Sequence, residues 1–203
     1  LAVVWAEENT RSSIFKSLQR KEVYGTSGPR FLVRFFAGNN LNENLCDSPD
    51  AISQAYQDGV PMGATLDANN LSHLSIFISA KADASLENQY LEKIQIIKGV
   101  LKGDEIHTTV IDVIDDQQTT LDESSCEIIG KGKKSICAIW HDPSFDNQEN
   151  AYYYARVVAN KSCRWSHQLC ISNPDYCVDD SDFETPKFIQ ERAWTSPIWL
   201  ENS

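Results

Sequence analysis

The chain is poor in the features that would place it quickly. It has a single methionine, and no apolar run approaches the ~18 unbroken residues of a membrane-spanning helix. No membrane partner is therefore expected. Lys and Arg number 18 against 29 Asp and Glu, for a net charge of -11. The basic residues gather only at Lys131-Gly132-Lys133-Lys134, which reads as a solvated hairpin tip. Phosphate-backbone binding needs clustered cations, so nucleic acid is not an expected partner. No Cys-x-x-Cys is present, and so the usual zinc-knuckle spacing is missing. The histidines, His73, His107, His141 and His167, show no helical ligand spacing and no His-x-Glu or His-x-His. A self-contained catalytic metal site is not expected from them. His141-Asp142 lies at a strand end and could contribute to a site; the plainer reading is a surface turn. Ser27 sits in Thr-Ser-Gly-Pro rather than Gly-x-Ser-x-Gly, so a hydrolase elbow is not indicated. Asp179-Asp180-Ser181-Asp182 lacks the glycine and distal Glu of a calcium hand and reads as a solvated loop. Leu1 to Trp5 is too short for a signal peptide and has no basic lead. The chain opens on this strand-like run in mid-pattern, so the polypeptide is expected to begin further upstream.

What is present is ordinary for a globular chain: 203 residues, 41% hydrophobic and 23% charged. The length allows one large domain, or one domain and part of another. The six cysteines are an even count, which fits an oxidising compartment, periplasmic or secreted.

Along the chain, Leu1 to Trp5 reads as a short strand. Asn9 or Thr10 can cap a helix over residues 12–22, with Ile14, Phe15, Leu18 and Val23 on one face. Gly25, Gly28 and Pro29 break that helix, so Tyr24 to Arg30 reads as a turn. Phe31 to Phe36 is aromatic and β-branched, hence a strand. Ser48-Pro49 starts a second helix that stops at Gly59. Strands follow at 73–80, 90–99 and 107–114. Ser135 to His141 sets Ile136, Ala138 and Trp140 against Cys137 and Ile139. Ala151 to Val158 sets Tyr152, Tyr154 and Arg156 against Tyr153, Ala155 and Val157. Thr185 to Leu200 is too apolar for a loose terminus and is expected to return as a strand or dock on the body. Short strands with turn-rich connections predict an α+β, mostly β chain with a β-sandwich-like body.

One hairpin can be set in register. A loop at Gly130-Lys131-Gly132-Lys133 places Ile129 opposite Lys134 and Cys126 opposite Cys137. Directly opposed residues lie within disulfide reach, which predicts a Cys126–Cys137 bridge. Cys46, Cys163, Cys170 and Cys177 are left with three possible pairings. A staple within the tail from Cys163 to Cys177 suits its polar composition.

Two stretches carry the densest polar chemistry. Glu7, Glu8 and Arg11 offer adjacent carboxylates and a cation for an anion, a metal or acid–base work; the plainer reading is a helix start with favourable acids. Tyr24, Ser27 and Arg30, with the glycine amides and Thr26, offer an oxyanion pocket; the plainer reading is a turn that re-aims the chain.

Several phrases resemble a known family when taken together. They are Val4-Trp5-Ala6-Glu7-Glu8-Asn9-Thr10-Arg11, Tyr24-Gly25-Thr26-Ser27-Gly28-Pro29-Arg30, Gly59-Val60-Pro61-Met62-Gly63, Tyr152-Tyr153-Tyr154-Ala155-Arg156-Val157, Ser162-Cys163-Arg164-Trp165-Ser166 and Ile189 to Trp199. They span nearly the whole chain, in order, and resemble the C-terminal part of the domain-of-unknown-function family 3604. That family resembles the polymerase-and-histidinol-phosphatase (PHP) metallohydrolases. The resemblance implies a (β/α) barrel whose His and Asp ligands hold divalent metal ions. Those ligand motifs lie upstream of the phrases found here. By this reading residues 1–30 are the last strand and helix of an otherwise absent barrel, and residues 31–203 form a β-rich C-terminal domain. The segment holds no metal ligand or cofactor of its own, its partner is the missing N-terminal barrel portion, and it is inactive alone. Glu7, Glu8, Arg11, Tyr24, Ser27 and Arg30 would at most position a small-molecule substrate. Many family members look exported, in agreement with the cysteine count.

The rival reading is a non-catalytic β-sandwich that binds a ligand or carbohydrate through Trp140, Tyr153, Trp165 and Trp199. A third is a structural or oligomerisation module. Three or more coplanar exposed rings would favour carbohydrate; a large apolar patch where the barrel should dock would favour the segment reading.

Overall fold

The computed structural model describes residues 1–177 and 186–202. The acidic run Asp179 to Asp182 lies outside the described residues. The strands are β1 (Ala2–Val4), β2 (Val23–Thr26), β3 (Leu32–Gly38), β4 (Val60–Pro61), β5 (Thr65–Asp67), β6 (Ser75–Lys81), β7 (Leu91–Lys102), β8 (Glu105–Asp115), β9 (Thr119–Leu121), β10 (Ile128–Gly130), β11 (Ser135–His141), β12 (Ala151–Cys163), β13 (Phe188–Thr195) and β14 (Ile198–Glu201). The helices are α1 (Arg11–Gln19), α2 (Ala51–Asp58) and α3 (Trp165–Ser172).

The strands form one large sheet and one small one. In the large sheet β12 is the spine: β7 runs along one side, and β13 and β14 share the other. β8 extends this sheet beyond β7, and β2 with β1 extends it beyond β13. These pairings are antiparallel, and β5 adds to β14 in parallel. The small sheet has the antiparallel order β11-β6-β3-β4. β9 and β10 make a separate two-stranded ribbon.

Alternation decides what faces inward. Tyr153, Ala155 and Val157 of β12 and Ile94 and Ile96 of β7 meet Val33 and Phe35 of β3 and Ile76 and Ile78 of β6 in one core. This bears out a mostly β, α+β chain with two packed antiparallel sheets. A smaller core lies on the outer side of the small sheet. There Phe36 and Phe77 meet Leu45 and Ala55, beneath α2.

The chain between residues 1 and 30 differs from expectation in two ways. Tyr24 to Arg30 is not a plain turn, because Val23 to Thr26 is strand β2, with Tyr24 and Thr26 turned inward. Its β-branched and aromatic residues fit a pleated, half-buried surface better than a turn. The helix is capped by Thr10, whose Oγ1 accepts from Ser13 N at 3.2 Å. Its apolar residues are not its buried ones, however: Ser17 is fully buried, while Phe15 and Leu18 are 58% and 52% exposed. Through β1 and β2 this segment shares the large sheet, and through Tyr24 it shares the core.

The cysteine reading needs correction. Cys126 does not pair with Cys137. The bridges are Cys46–Cys137, Cys126–Cys163 and Cys170–Cys177. The reason is the register. β10 pairs with β9, and β11 pairs along its whole length with β6, so the proposed hairpin does not form. Lys131 to Lys134 is accordingly no free tip. Lys133 pairs with Asp116 at 2.6 Å, and Lys134 Nζ donates to the carbonyls of Leu86 and Gln89, each at 2.8 Å. The staple expected in the polar tail is present as Cys170–Cys177. All six cysteines are paired, which fits an oxidising compartment. Among the described residues no helix is long and apolar enough to cross a membrane.

The sheets are tied at one end by a buried ion pair. Lys98 of β7 points inward, and its Nζ lies 2.7 Å from Asp142, at the end of β11. The same ammonium donates to the Ser144 carbonyl at 2.8 Å. Tyr153 OH donates to Asp142 at 2.6 Å, and Ser144 N does so at 2.9 Å. Burial alone would raise the Asp142 carboxyl, but the hydrogen bonds from Lys98, Tyr153 and Ser144 together hold it below the usual carboxylate range. Removing one partner of such a pair strands the other charge in the core. Asp142→Asn is therefore expected to cost roughly 3–5 kcal/mol of unfolding free energy in urea. The pH dependence carries a sign. With the folded-state value depressed, the carboxylate contributes fully above its unfolded-state value and the contribution vanishes as pH falls through the folded-state value. Asp142→Asn should lack that acid limb.

Candidate functional site

The structure does not bring the six sequence-selected residues together. Glu7 and Glu8 are exposed in the turn before α1, and Arg11 is exposed at its first position. Tyr24 is buried; its OH donates to the Phe31 carbonyl at 2.8 Å, and burial raises its pKa. Ser27 is exposed; its hydroxyl donates to Glu191 and accepts from Arg192 N at 2.8 Å. Arg30 is exposed, and its backbone N–H donates to Asp83 at 2.7 Å. Tyr24 and Ser27 thus hold the β2 segment in place, and Arg30 fastens the following turn.

A different set does converge, and the sequence reading missed it. Glu22 is 4% exposed. Tyr56 OH donates to its carboxylate, Arg34 Nη1 lies 3.9 Å from it, and Arg20 Nη2 lies 3.4 Å from it. The Arg34 guanidinium carbon stands 3.4 Å from the centroid of the Trp5 ring, a cation–π contact. Trp5 is fixed in turn by its indole N–H, which donates to the Val33 carbonyl at 2.9 Å. Burial, followed by the Glu22 hydrogen bond and charge, pushes the Tyr56 phenol up to about 12. The shielded carboxylate fastens α1, β3 and α2 to one another. A hint was available: Glu22 follows the helix, and Arg34 interrupts an otherwise apolar strand.

For metal ligation, Cys126, Cys163 and His167 bring their ligand atoms within 4.8 Å of one another among the described residues. The two sulfurs are joined as a disulfide, so they are not the thiolates that bind a divalent ion. This donor set does not fit a catalytic metal.

The large sheet offers a surface of another kind. Its outer face carries Tyr152, Tyr154 and Arg156 of β12, the residues that alternate with the core set. In register with Tyr152 stand Trp199 on one side and Gly99 on the other. The rings of Tyr152 and Trp199 lie 5.5 Å apart at 59°, and Tyr152 and Tyr154 lie 6.4 Å apart at 14°. A methyl on Gly99 would stand 2.2 Å from Tyr152 Cζ, so the Tyr152 ring lies across the glycine. Two cavities of about 500 Å³ each open on this face. One is bordered by Leu101, Ile106, Tyr152 and Trp199. The other is bordered by Val4, Leu18, Val23, Trp194 and Pro197. Ile106 is 61% exposed. Between and beside these recesses the face is polar, with Arg156, Gln95 and Asp112 hydrogen-bonded across three strands; the apolar patches themselves are of the kind that marks an interaction surface.

The sequence model of a family of proteins of unknown function, DUF3604, matches residues 1–202. The chain belongs to that family. No curated protein and no solved structure matches it. Within this DUF3604 chain, Trp140, Tyr153, Trp165 and Trp199 do not form one aromatic platform. Tyr153 is buried, Trp140 packs against the core, Trp165 is exposed on α3, and Trp199 belongs to the outer sheet face.

Two substitutions test this account of the DUF3604 chain. Glu22→Gln should destabilise it by roughly 1–3 kcal/mol, because the groups around a buried carboxylate lose a charged acceptor. Chemical denaturation measures this. Gly99→Ala should force the Tyr152 ring off the sheet, at a cost of roughly 1–3 kcal/mol if the side chain cannot swing clear. The ring proton shifts of Tyr152 and Trp199 report the displacement.

Proposed function

We propose that this chain is the exported, C-terminal and non-catalytic segment of a PHP-like metal-dependent hydrolase, and that it docks on the rest of that enzyme through the outer face of its large sheet. One observation carries the docking part: two apolar and aromatic recesses on the outer sheet face, one of them bordered by Leu18 of α1, that nothing among the described residues covers. Exposed Leu18 beside Val4 and Val23 is what a strand–helix unit leaves bare when a neighbouring layer is taken away. Family membership and the phrase-by-phrase resemblance support the rest. The disulfides suit a periplasmic or secreted location.

In this reading the upstream portion holds the divalent metal, which supplies an activated water for attack on an ester, phosphoester or amide. No step is assigned to residues of this chain, because among the described residues the converging groups are held in structural pairs and the Cys–His cluster is oxidised. Its work is to present β1, α1 and β2 in a fixed pose. Residues 1–203 are expected to turn over neither p-nitrophenyl esters nor p-nitrophenyl phosphate, with or without added Zn²⁺ or Mn²⁺. Hydrolysis by these residues alone that survives a chelator would overturn the division of labour.

A second reading, a sugar-binding sandwich, keeps one observation in its favour: the tilted Tyr152–Trp199 pair beside Asn150, Glu201 and Asn202. Aromatic faces and a polar rim suit a pyranose. Titration with soluble glucan oligosaccharides decides between them. Saturable shifts of the Trp199 indole signal that vanish in Trp199→Ala would favour sugar over docking.

A further inference from the structure

The outer face of the small sheet holds a cavity of opposite character. It measures about 350 Å³ and is roofed by Trp5 and the start of α2, with the Cys46–Cys137 bridge in its wall. The register sets its floor. Arg34, Ser79 and Cys137 form one cross-strand row, and Leu32, Lys81 and Ser135 form the next row on the same face. Same-face rows lie roughly 6–7 Å apart along the strands, so one small ligand can reach both cations.

The charges are unusual for this chain. Acidic residues outnumber basic ones by 29 to 18 overall, yet the cavity is lined by Arg34 and Lys81 and by no Asp or Glu. Arg34 is held in place from behind. Its hydrogen bond to Tyr56 and its ion pair with Glu22 both run through Nη1, and Trp5 stacks on the guanidinium. That leaves Nε and Nη2 without a protein acceptor among the described residues. Lys81 Nζ has no ion pair or hydrogen bond among the described residues, and the Ser79 and Ser135 hydroxyls have none there either. Ser48 Oγ accepts from Asp50 N at 3.2 Å and from Gln54 Nε2 at 3.1 Å, so its own proton remains to be donated. Two cations and several hydroxyl donors around one concavity, with one cation immobilised, form an anion site. An arginine fork presents two parallel donors to a tetrahedral oxyanion.

We propose that this cavity binds a tetrahedral oxyanion of the phosphate or sulfate type, free or carried on a monoester. Arg34 and Lys81 are its charged contacts, and the Ser79 and Ser135 hydroxyls are its neutral donors. Half-exposed Leu32, with Trp5, gives the cavity an apolar side on which the organic part of an ester would rest. The inference is independent of how the opposite sheet face is used.

Amide-resolved NMR titration of the oxidised chain tests it, with inorganic phosphate, inorganic sulfate and phenyl phosphate as probes. Sodium chloride at matched ionic strength is the reference. Saturable shifts confined to the segments around Arg34, Ser48, Ser79, Lys81 and Ser135 are expected. Lys81→Gln combined with Ser79→Ala should weaken binding about tenfold or more, with the rest of the spectrum unmoved. This pair is preferred to an Arg34 variant, which would also disturb Glu22. Tighter binding of phenyl phosphate than of inorganic phosphate identifies a monoester as the occupant, and equal binding identifies the free ion. Shifts no larger than those given by chloride would overturn the proposal. So would saturable binding that the double variant leaves unchanged.

Discussion

A lysine on the inward phase of a core strand has to find a carboxylate, and the closure of this sandwich follows from how Lys98 does so. Lys98 and Tyr153 belong to the large sheet, and Asp142 ends a strand of the small one. Three hydrogen-bonding groups converge on one carboxylate, so the two sheets can meet at that end in only one way. Hydrophobic burial supplies the general drive to pack the layers. The polar cluster selects the alignment, since any slip would leave a charge in an apolar core. Above it Ile94, Ile96, Ala155 and Val157 fill the space in strict alternation.

The two outer faces of the sandwich are then free to differ, and they do. The small sheet is covered by α2 and by the preceding turn at Leu45–Asp47, whose Cys46 is bridged to β11, and it keeps a polar recess beside Arg34. The outer face of the large sheet is mixed: Tyr152, Tyr154 and Trp199 cluster on one part of it, and the hydrogen-bonded Arg156, Gln95 and Asp112 cross it beyond them. The buried Glu22 cluster ties α1 and α2 to β3, so the strand–helix unit at the start of this DUF3604 chain is held to the body from both sides.

Much of the strand layout was legible because it is periodic. Ser135 to His141 and the run after Ala151 were both read as strands from their alternation, and in the second the Tyr153, Ala155 and Val157 set is the inward one. Thr10 and Gly59 mark helix ends as their chemistry suggests. What was not legible is non-local. β11 pairs with β6, far upstream, so a local hairpin argument set the wrong register and the wrong disulfide. Asp142 read as a surface turn because nothing beside it in sequence reveals Lys98. The clue was in β7 itself, where Lys98 takes the next inward position after Ile94 and Ile96. The candidate site fared worse. Tyr24 and Ser27 carry chemistry-bearing groups, but each spends them on holding backbone. Glu22 and Arg34, which do meet, come from opposite sides of a glycine-bearing stretch that looked like the active element.

The cross-links have a consequence for the chain as a connected object. Cys126 lies inside the loop that Cys46–Cys137 closes, and its partner Cys163 lies outside it. The two bridges therefore interleave along the sequence. A single peptide-bond cleavage anywhere between residues 46 and 163 leaves both pieces covalently joined through one bridge or the other. Nicks at those positions would leave the two sheets in one covalent unit. A cut before Cys46, as within the β1–α1–β2 unit, has no such insurance, and beyond Cys163 only the short Cys170–Cys177 loop does.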